Sequence, residues 1–325
     1  MRQSQMKPMV ESGILSAVAI IFALIGVYLP VFGQYIIFLW PIPIILLGVR
    51  HGSKWSIMAT IVSGSIIGML LGPLSGLGII GGFGLVGIVL GHALRAGFSP
   101  AKTLLLSSAV SLISMVALLM ISIWVMGVNP VYLQLDIMGK FYQQLSEQTM
   151  EVSRNIGMTE EQLARISESM RAMSDVSLMK LVLPALFVMM AAITSCLNFF
   201  VARAVLKKLG HSIVNLPPFK HWMLPKYIVY ILVAVLLMTY WGQVIDVPVL
   251  KQIGMNLQAI AMIILFVQGL ALFYYLAEKY NLSKPARGII LFLVFTNMFF
   301  SQMLITAAVW DILLDYRKLD MSSCE

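Results

Sequence analysis

The chain has 325 residues, of which 60% are hydrophobic and only 11% charged, and its formal net charge is +8. Soluble domains are about half apolar and one quarter charged, so this composition excludes an ordinary soluble enzyme. It indicates a protein that crosses a membrane several times. The positive charge does not require a nucleic-acid partner, because its distribution around the apolar segments accounts for it.

Apolar segments long enough to cross about 30 Å of hydrocarbon recur along the chain. They cover residues 12–32, 34–49, 53–72, 74–94, 103–128, 181–202, 227–245, 253–277 and 288–310. We therefore predict an all-α, polytopic transmembrane helix bundle with about nine spans, or eight if the short second segment does not cross. The prediction divides the chain into a five-span part over residues 1–128, a polar insertion over 129–180 and a four-span part over 181–325.

Small residues at helical spacing occur in the first, third and fourth segments. Glycine and alanine let helix backbones approach closely in a membrane, where apolar burial gives helices no drive to associate. The residues predicted to pack helices in this way are Gly13, Ala17, Ala19, Ala23, Gly64, Gly68, Gly82, Gly87 and Gly91.

The second segment contains Pro41 and Pro43, which have no backbone N–H and interrupt a regular helix. In hydrocarbon, the carbonyl groups left free need cover from neighbouring helices or from a water-lined cavity. The break therefore predicts a surrounding bundle and a candidate cavity. The residues assigned to this candidate ligand site are Trp40, Pro41, Pro43, Arg50, Asn297, Gln302 and Asp311.

The basic residues predict how the chain threads the membrane. If nine segments cross and the N-terminus is cytoplasmic, the inside segments hold 14 basic and 2 acidic residues. An excess of Lys and Arg in short loops marks the cytoplasmic side. We therefore predict a multi-pass protein of the bacterial cell membrane, with its N-terminus cytoplasmic and its C-terminus extracytoplasmic.

The polar insertion at 129–180 has the pattern of an extracytoplasmic amphipathic helical hairpin. Its first apolar stripe contains Met138, Phe141, Leu145, Val152 and Ile156, and its second contains Leu163, Ile166, Met170 and Met173. Gly157 is predicted to end the first helix, and Thr159 with Gln162 to form a capping box for the second. The stripes are expected to pack on each other; the alternatives are that they lie on the membrane or cover a cavity.

The segment 203–226 is basic and contains three prolines. Lys and Arg residues with aromatic neighbours beside a membrane are typical of a surface for anionic lipids, and they also suit a cytoplasmic protein partner. The residues of this surface are Arg203, Lys207, Lys208, Lys220 and Lys226.

Chemical motifs are sparse. The four histidines have no metal-ligand spacing, and no GxxxxGK[ST] loop is present, so we predict no catalytic residues, no metal, no cofactor and no intrinsic ATPase. Asp311 and Asp315 lie four residues apart with Arg317 close by. Paired carboxylates could bind a metal or a cationic ligand, but a salt-bridged helix end is favoured.

Several of these positions together resemble a known family. They are Glu11, Pro30, Pro41, Pro43, Leu47, Gly48, Arg50, Gly52, Gly72, Pro73, the glycines of the fourth segment, Asp311 and Arg317. This pattern resembles the YybS-type family of uncharacterised bacterial membrane proteins. The N-terminal part of that family is similar to the substrate-capture subunits of energy-coupling-factor transporters, which bind small molecules and rely on separate ATPases. The resemblance implies a ligand cavity that opens outward and a partner interface on the small residues of the first span.

Two functions remain open at this point. The broken second segment and the resemblance favour capture or transport of a small molecule by a non-enzymatic membrane protein. The basic, proline-rich segment favours a scaffold or regulatory subunit that docks a cytoplasmic partner.

Overall fold

The computed structural model describes residues 3–29, 32–174, 176–211 and 217–317. Pro30 and Cys324 lie outside these ranges, as does the side chain of Met173. The helices are α1 (Gln3–Tyr28), α2 (Gly33–Ile37), α3 (Pro41–His51), α4 (Ser53–Leu71), α5 (Pro73–Gly78), α6 (Leu85–Arg95), α7 (Pro100–Met126), α8 (Pro130–Asn155), α9 (Glu160–Ser174), α10 (Val176–Lys208), α11 (Tyr227–Val244), α12 (Pro248–Lys279), α13 (Lys284–Thr296) and α14 (Met298–Leu314). A π-helical segment, Ile79–Gly84, joins α5 to α6, and a 3₁₀ turn covers Phe219–His221. No strand occurs among the described residues, so the predicted all-α fold is confirmed.

Seven helices in the described part of the chain are long and apolar enough to cross a membrane, or eight if the bent pair α13 and α14 counts as one span. The predicted second span corresponds to a shorter apolar stretch, Tyr35–His51. The protein is therefore a polytopic helical membrane protein.

The chain forms two compact units. The first contains Met1–Lys180 and Leu186–Val214, and the second contains Leu181–Ala185 and Asn215–Glu325. The helices of the polar insertion and most of α10 thus belong with the N-terminal helices.

In the first unit, a cluster of charged side chains brings several helix ends together. The Glu11 carboxylate of α1 pairs with Arg50 and lies 2.6 Å from the His51 ring at the end of α3. At the start of α4, the Ser53 hydroxyl lies 3.1 Å from Nδ1 of His92 near the end of α6. We call this the basic end of the first unit. Because α1 begins there and α3 ends there, the proline-containing second segment returns the chain to the side from which it started.

Close backbone contacts hold the helices of the first unit together. A Cβ atom on Gly91 of α6 would lie 3.2 Å from the Cα atom of Gly48 on α3. A Cβ atom on Gly76 of α5 would lie 2.8 Å from the Cα atom of Gly68 on α4. Only glycine allows such an approach, and the two contacts join α3 to α6 and α4 to α5.

The first helix of the polar insertion ends, and the second begins, where predicted, but their packing differs. Gly157 follows α8 with a φ of +79°, and Thr159 and Gln162 exchange the two hydrogen bonds of a capping box, at 3.0 and 3.4 Å. Helix α9 packs against α8. However, three of the apolar residues predicted to pack against the second helix, Phe141, Val152 and Ile156, are exposed on α8. Packing of the two predicted stripes on each other is therefore wrong for α8, which turns a different face to α9.

In the second unit, the side chain of Asn256 hydrogen-bonds to backbone groups of α10 beside Pro184, where this proline interrupts the helix. Its Oδ1 accepts a hydrogen bond from Ala185 N at 2.7 Å, and its Nδ2 donates to Leu181 O at 2.8 Å. One carboxamide thus satisfies both backbone groups of an opened helical turn, which would otherwise be costly in hydrocarbon. This contact also explains why residues 181–185 belong to the second unit.

The last apolar segment does not cross as one straight helix. Helices α13 and α14 meet at a bend of 103° beside Asn297. Arg287 at the start of α13 donates to Ala277 O at 3.1 Å, and Lys279 lies 3.4 Å from the Tyr316 hydroxyl beyond the end of α14. Both ends of the pair therefore lie beside the C-terminal end of α12, as in a re-entrant hairpin. The predicted ninth crossing is wrong, and so is the placement of Arg317 on the opposite side from Lys220.

Candidate functional site

The first unit contains a mostly apolar cavity of about 340 Å³. Its walls come from α1, α2, α4, α5, the π-helical segment, α7 and α10. The lining residues are Ala23, Val27, Ile37, Phe38, Ile67, Leu71, Ser75, Gly78, Ile79, Gly82, Phe83, Ser111, Met115, Leu118, Met190 and Thr194. Three hydroxyl side chains are the polar groups in this set, and no charged residue belongs to it.

The cavity lies away from the basic end of the first unit. It borders Ala23 and Val27 in the second half of α1, whereas Glu11 lies in the first half. It likewise borders Ile67 and Leu71 at the end of α4, the helix whose first residue belongs to the basic end. The cavity and the charged cluster therefore occupy opposite ends of the same helices.

One wall of the cavity is the π-helical segment. Ile79, Gly82 and Phe83 of this segment line the space. Gly78, directly before this segment, also lines the cavity, and a Cβ atom on it would meet nothing within 4 Å. Single π-helical turns inside α-helices are uncommon and frequently occur at functional sites.

The residues predicted to form the cavity lie elsewhere in the first unit. Trp40 is fully buried in a hydrophobic core with Ala19 and Ile44, and its Nε1 has no hydrogen-bond partner among the described residues. Pro41 and Pro43 are buried on α3. Arg50 belongs to the basic end. Ile37 and Phe38, immediately before this group, contact the cavity instead.

The other predicted cavity residues belong to the second unit. Asn297 lies at the bend, where its Oδ1 accepts a hydrogen bond from Phe299 N at 2.9 Å and caps α14. Gln302 is exposed on α14, and Asp311 is buried.

The second unit is organised around a buried ion pair. The side chains of Arg317 and Asp311 are 0% and 1% exposed, and Nη2 of Arg317 lies 2.8 Å from Oδ2 of Asp311. The same guanidinium donates to the backbone carbonyls of Lys220 at 2.6 Å and Trp222 at 2.8 Å. The predicted salt bridge is confirmed, and it also holds the loop that follows the 3₁₀ turn.

Gln268 of α12 extends this network. Its Nε2 donates to Oδ2 of Asp311 at 3.0 Å, and its Oε1 accepts from Leu224 N at 3.2 Å. The loop from Lys220 to Leu224 is thereby tied to α12 and α14 at three backbone groups. We call these groups, with Arg317, Asp311 and Gln268, the arginine network.

The basic residues predicted to form a surface at 203–226 differ in exposure and in the contacts that they make. Lys220 pairs with Glu278 at 2.6 Å beside a surface groove that Tyr274 and Arg287 also line. Lys207, Lys208 and Lys226 are exposed, and Arg203 is partly buried. Nearby, hydrogen bonds with Tyr280 and Lys279 lower the pKa of the Tyr316 hydroxyl below its ordinary value.

The small residues predicted to pack helices fall into two groups. Most lie in contacts within the first unit, namely Ala19, Ala23, Gly64, Gly68, Gly82, Gly87 and Gly91. Gly13 and Ala17 are exposed on α1, and a Cβ atom on Gly13 would meet nothing within 4 Å.

Sequence reasoning missed most of the cavity lining. Ser111 and Thr194 face the cavity from the middle of α7 and α10, and a buried hydroxyl in mid-span is the one signal that could have pointed to them. The apolar lining residues have the same composition as any membrane helix. No group of three His, Cys, Asp or Glu residues suited to a metal ion occurs in the described ranges.

Comparisons with known proteins agree with this architecture. The chain is 27% identical over 302 residues to the uncharacterised protein YybS of Bacillus subtilis, a match that covers 91% of this chain and 93% of that protein. No solved structure matches. The family model described as "Predicted membrane protein (DUF2232)" matches residues 17–312. The chain therefore belongs to the DUF2232 family of predicted membrane proteins.

Proposed function

We propose that the first unit captures a small, mostly apolar molecule in its cavity. The volume of about 340 Å³ falls at the lower end of the range for small-molecule sites. It has room for on the order of ten non-hydrogen atoms. With Ser75, Ser111 and Thr194 as the polar lining, the ligand carries few hydrogen-bonding groups and no net charge.

The cavity itself is the observation that supports this proposal. An apolar cavity of this size departs from the close packing of protein interiors, whereas elsewhere the unit is packed closely enough for backbone contacts between glycines. The π-helical wall and the open side of Gly78 favour a binding site over a packing fault.

The orientation is part of the proposal. The basic end of the first unit is assigned to the cytoplasm of a bacterial cell, because Lys and Arg concentrate on that side. The cavity then lies in the outer half of the membrane, where an external molecule has access to it. We also propose that Lys220 lies on the cytoplasmic side, and Arg317, which donates to the carbonyl of Lys220, lies on the same side. The protein is proposed to act without enzymatic chemistry, and any energy for transport comes from a separate partner.

Ligand-dependent thermal stability tests the proposal. The purified protein in detergent is screened against a panel of uncharged apolar metabolites and vitamins, and at least one is expected to raise the melting temperature. Gly78→Leu adds a side chain at a residue that lines the cavity and should abolish that shift. Gly288→Leu is the matched control, because a Cβ atom there also meets nothing within 4 Å but lies on α13.

Two results count against capture. One is a panel without any shift, combined with no small molecule released from the native protein in mass spectrometry. The other is an equal ligand-induced shift in wild type and Gly78→Leu, which would place binding outside the cavity.

Docking of a cytoplasmic protein is the second candidate function. It is favoured by the arginine network, which holds the loop from Lys220 to Leu224 in one conformation. A preorganised loop loses less entropy on binding. A photocrosslinker at exposed Lys226 should capture one dominant protein in wild type and much less of it in Arg317→Met; recovery of lipids alone would refute this candidate.

A further inference from the structure

Helix α8 carries an apolar face that no described element of the first unit covers. Its members are 36–68% exposed. Most are spaced by four residues, which keeps them on one side of the helix. We call this face the α8 stripe: Leu133, Ile137, Phe141, Leu145, Val152 and Ile156.

The α8 stripe lies opposite the buried side of the helix. Leu135, Gly139 and Ser153 are buried, and at 100° per residue they point roughly 130° or more away from the centre of the stripe. The stripe is about 35 Å long. Contiguous exposed apolar faces of this length mark contact with another molecule.

Most of the stripe is nearly symmetric along the chain about Leu145; Phe141 is the exception, because the mirrored position is Thr149. Leu133 and Ile156 lie almost equally far from it on either side, and so do Ile137 and Val152. If two copies of α8 pack antiparallel with a two-fold axis at Leu145, each of these residues faces an apolar residue of the other copy. Leu145 then contacts its own equivalent, as a closed two-fold interface requires.

Four of the charged residues beside the stripe have nearly the same symmetry, whereas the position that mirrors Glu147 is the uncharged Gln143. Asp136, Lys140, Glu147, Glu151 and Arg154 all project within about a 60° sector along one edge of the stripe. In an antiparallel helix pair, equal edges of the two helices face each other.

The same two-fold axis places opposite charges together. Asp136 of one copy faces Arg154 of the other, and Lys140 faces Glu151. In a parallel pair, this edge of one helix would face the opposite edge of the other, so these charge pairs would not form. Asp136 is 59% exposed, although its carboxylate lies 3.8 Å from the Lys180 ammonium, so it remains accessible to a partner.

We infer that two copies of this protein associate through antiparallel pairing of their α8 stripes. This interface is independent of the ligand cavity. It gives the polar insertion the role of a dimerisation element and specifies the orientation of the two chains.

Disulfide crosslinking in native membranes tests the geometry, in a background with Cys196→Ser and Cys324→Ser. Leu145→Cys should crosslink to itself, because disulfides form only when Cα atoms approach within about 7 Å. Ile137→Cys alone should not, since its two copies lie about 24 Å apart along the antiparallel helices. Coexpressed Ile137→Cys and Val152→Cys chains should give at least about tenfold more crosslinked dimer than either alone.

Charge exchange tests the same interface without cysteine. Lys140→Glu should weaken dimerisation in liposomes roughly tenfold, since it turns two attractions into two repulsions. Adding Glu151→Lys to it should restore dimerisation. The control Arg165→Glu makes the same change of charge on α9, where Arg165 is exposed, and should leave dimerisation unchanged.

Three results would overturn the inference. A parallel arrangement would be shown if Ile137→Cys crosslinked to itself as strongly as the coexpressed Ile137→Cys and Val152→Cys chains crosslink to each other. A monomeric mass together with no effect of Lys140→Glu would show that there is no dimer. Quenching of a fluorophore at position 141 by brominated lipids would show that the bilayer covers the stripe.

Discussion

Replacement of Arg317 by methionine should destabilise the second unit more than any exposed substitution. The guanidinium makes three contacts with the Asp311 carboxylate, at 2.8, 3.1 and 3.2 Å, and one each with the carbonyls of Lys220 and Trp222. Arg317→Met removes all of these contacts at once. It leaves a buried carboxylate whose remaining side-chain partner is Gln268.

The expected cost follows from the burial of the pair. Removing one partner of a buried ion pair typically costs about 3–5 kcal/mol, because the other charge is left uncompensated. Replacing both charges with Asp311→Leu and Arg317→Met should cost less than the sum of the two single changes. The coupling energy from this double-mutant cycle is expected to exceed about 2 kcal/mol.

Two assays measure this effect. Unfolding in mixed micelles gives the change in the free energy of unfolding, and trypsin cleavage at Lys220 reports whether the loop has been released. Arg165→Met is the control, because the Arg165–Glu161 pair is 78% exposed on both sides and such pairs contribute at most about 1 kcal/mol. If Arg317→Met were as stable as Arg165→Met and resisted trypsin like wild type, the arginine network would not hold the loop.

Further predictions concern three other contacts. Asn256→Leu should lower the free energy of unfolding by about 1–3 kcal/mol, measured in the same micelle assay, because Ala185 N and Leu181 O lose their side-chain partner. Gly91→Leu should abolish a monodisperse folded peak in size-exclusion chromatography, whereas Gly13→Leu should not, since only the first site faces another helix within 4 Å. Tyr316→Phe should move the onset of tyrosinate absorbance to higher pH, because hydrogen bonds with Tyr280 and Lys279 lower the pKa of Tyr316. The stability from this ionisation is present above the unfolded pKa of about 10 and is lost as the pH falls through the folded pKa.

The sequence alone was sufficient to predict those features of the fold that depend on a local rule, such as apolar length or a helix cap. Membrane helices are predictable from the length of apolar segments alone. The C-terminal end of α8 and the N-terminal end of α9 are predictable from Gly157, Thr159 and Gln162. The pairing of Asp311 with Arg317 was predictable because both residues lie near one helix end, although their burial was not. Each of these features depends on residues close together in the chain.

The bend beside Asn297 could not be predicted from composition. Residues 288–310 form a mostly apolar segment without proline or charge, and such a segment is expected to cross the membrane even with Asn297 and Gln302 in it. The structure instead places Asn297 in an extended conformation, with φ −124° and ψ 120°, so that its side chain caps α14. The reversal becomes evident only from contacts distant in sequence, between the ends of α13 and α14 and the end of α12.

The cavity escaped prediction for a different reason. Its walls consist of common apolar residues, and a cavity is defined by what those side chains fail to touch. Several positions that carried the family resemblance have other roles in the structure: Glu11 pairs with Arg50, Gly48 allows α6 to approach α3, and Asp311 pairs with Arg317. Of the glycines in the fourth segment, which also belong to the pattern, Gly78 and Gly82 line the cavity. Other lining residues, such as Ser111, Met115 and Thr194, are not part of the pattern, and under the proposed capture function we expect these residues to select the ligand.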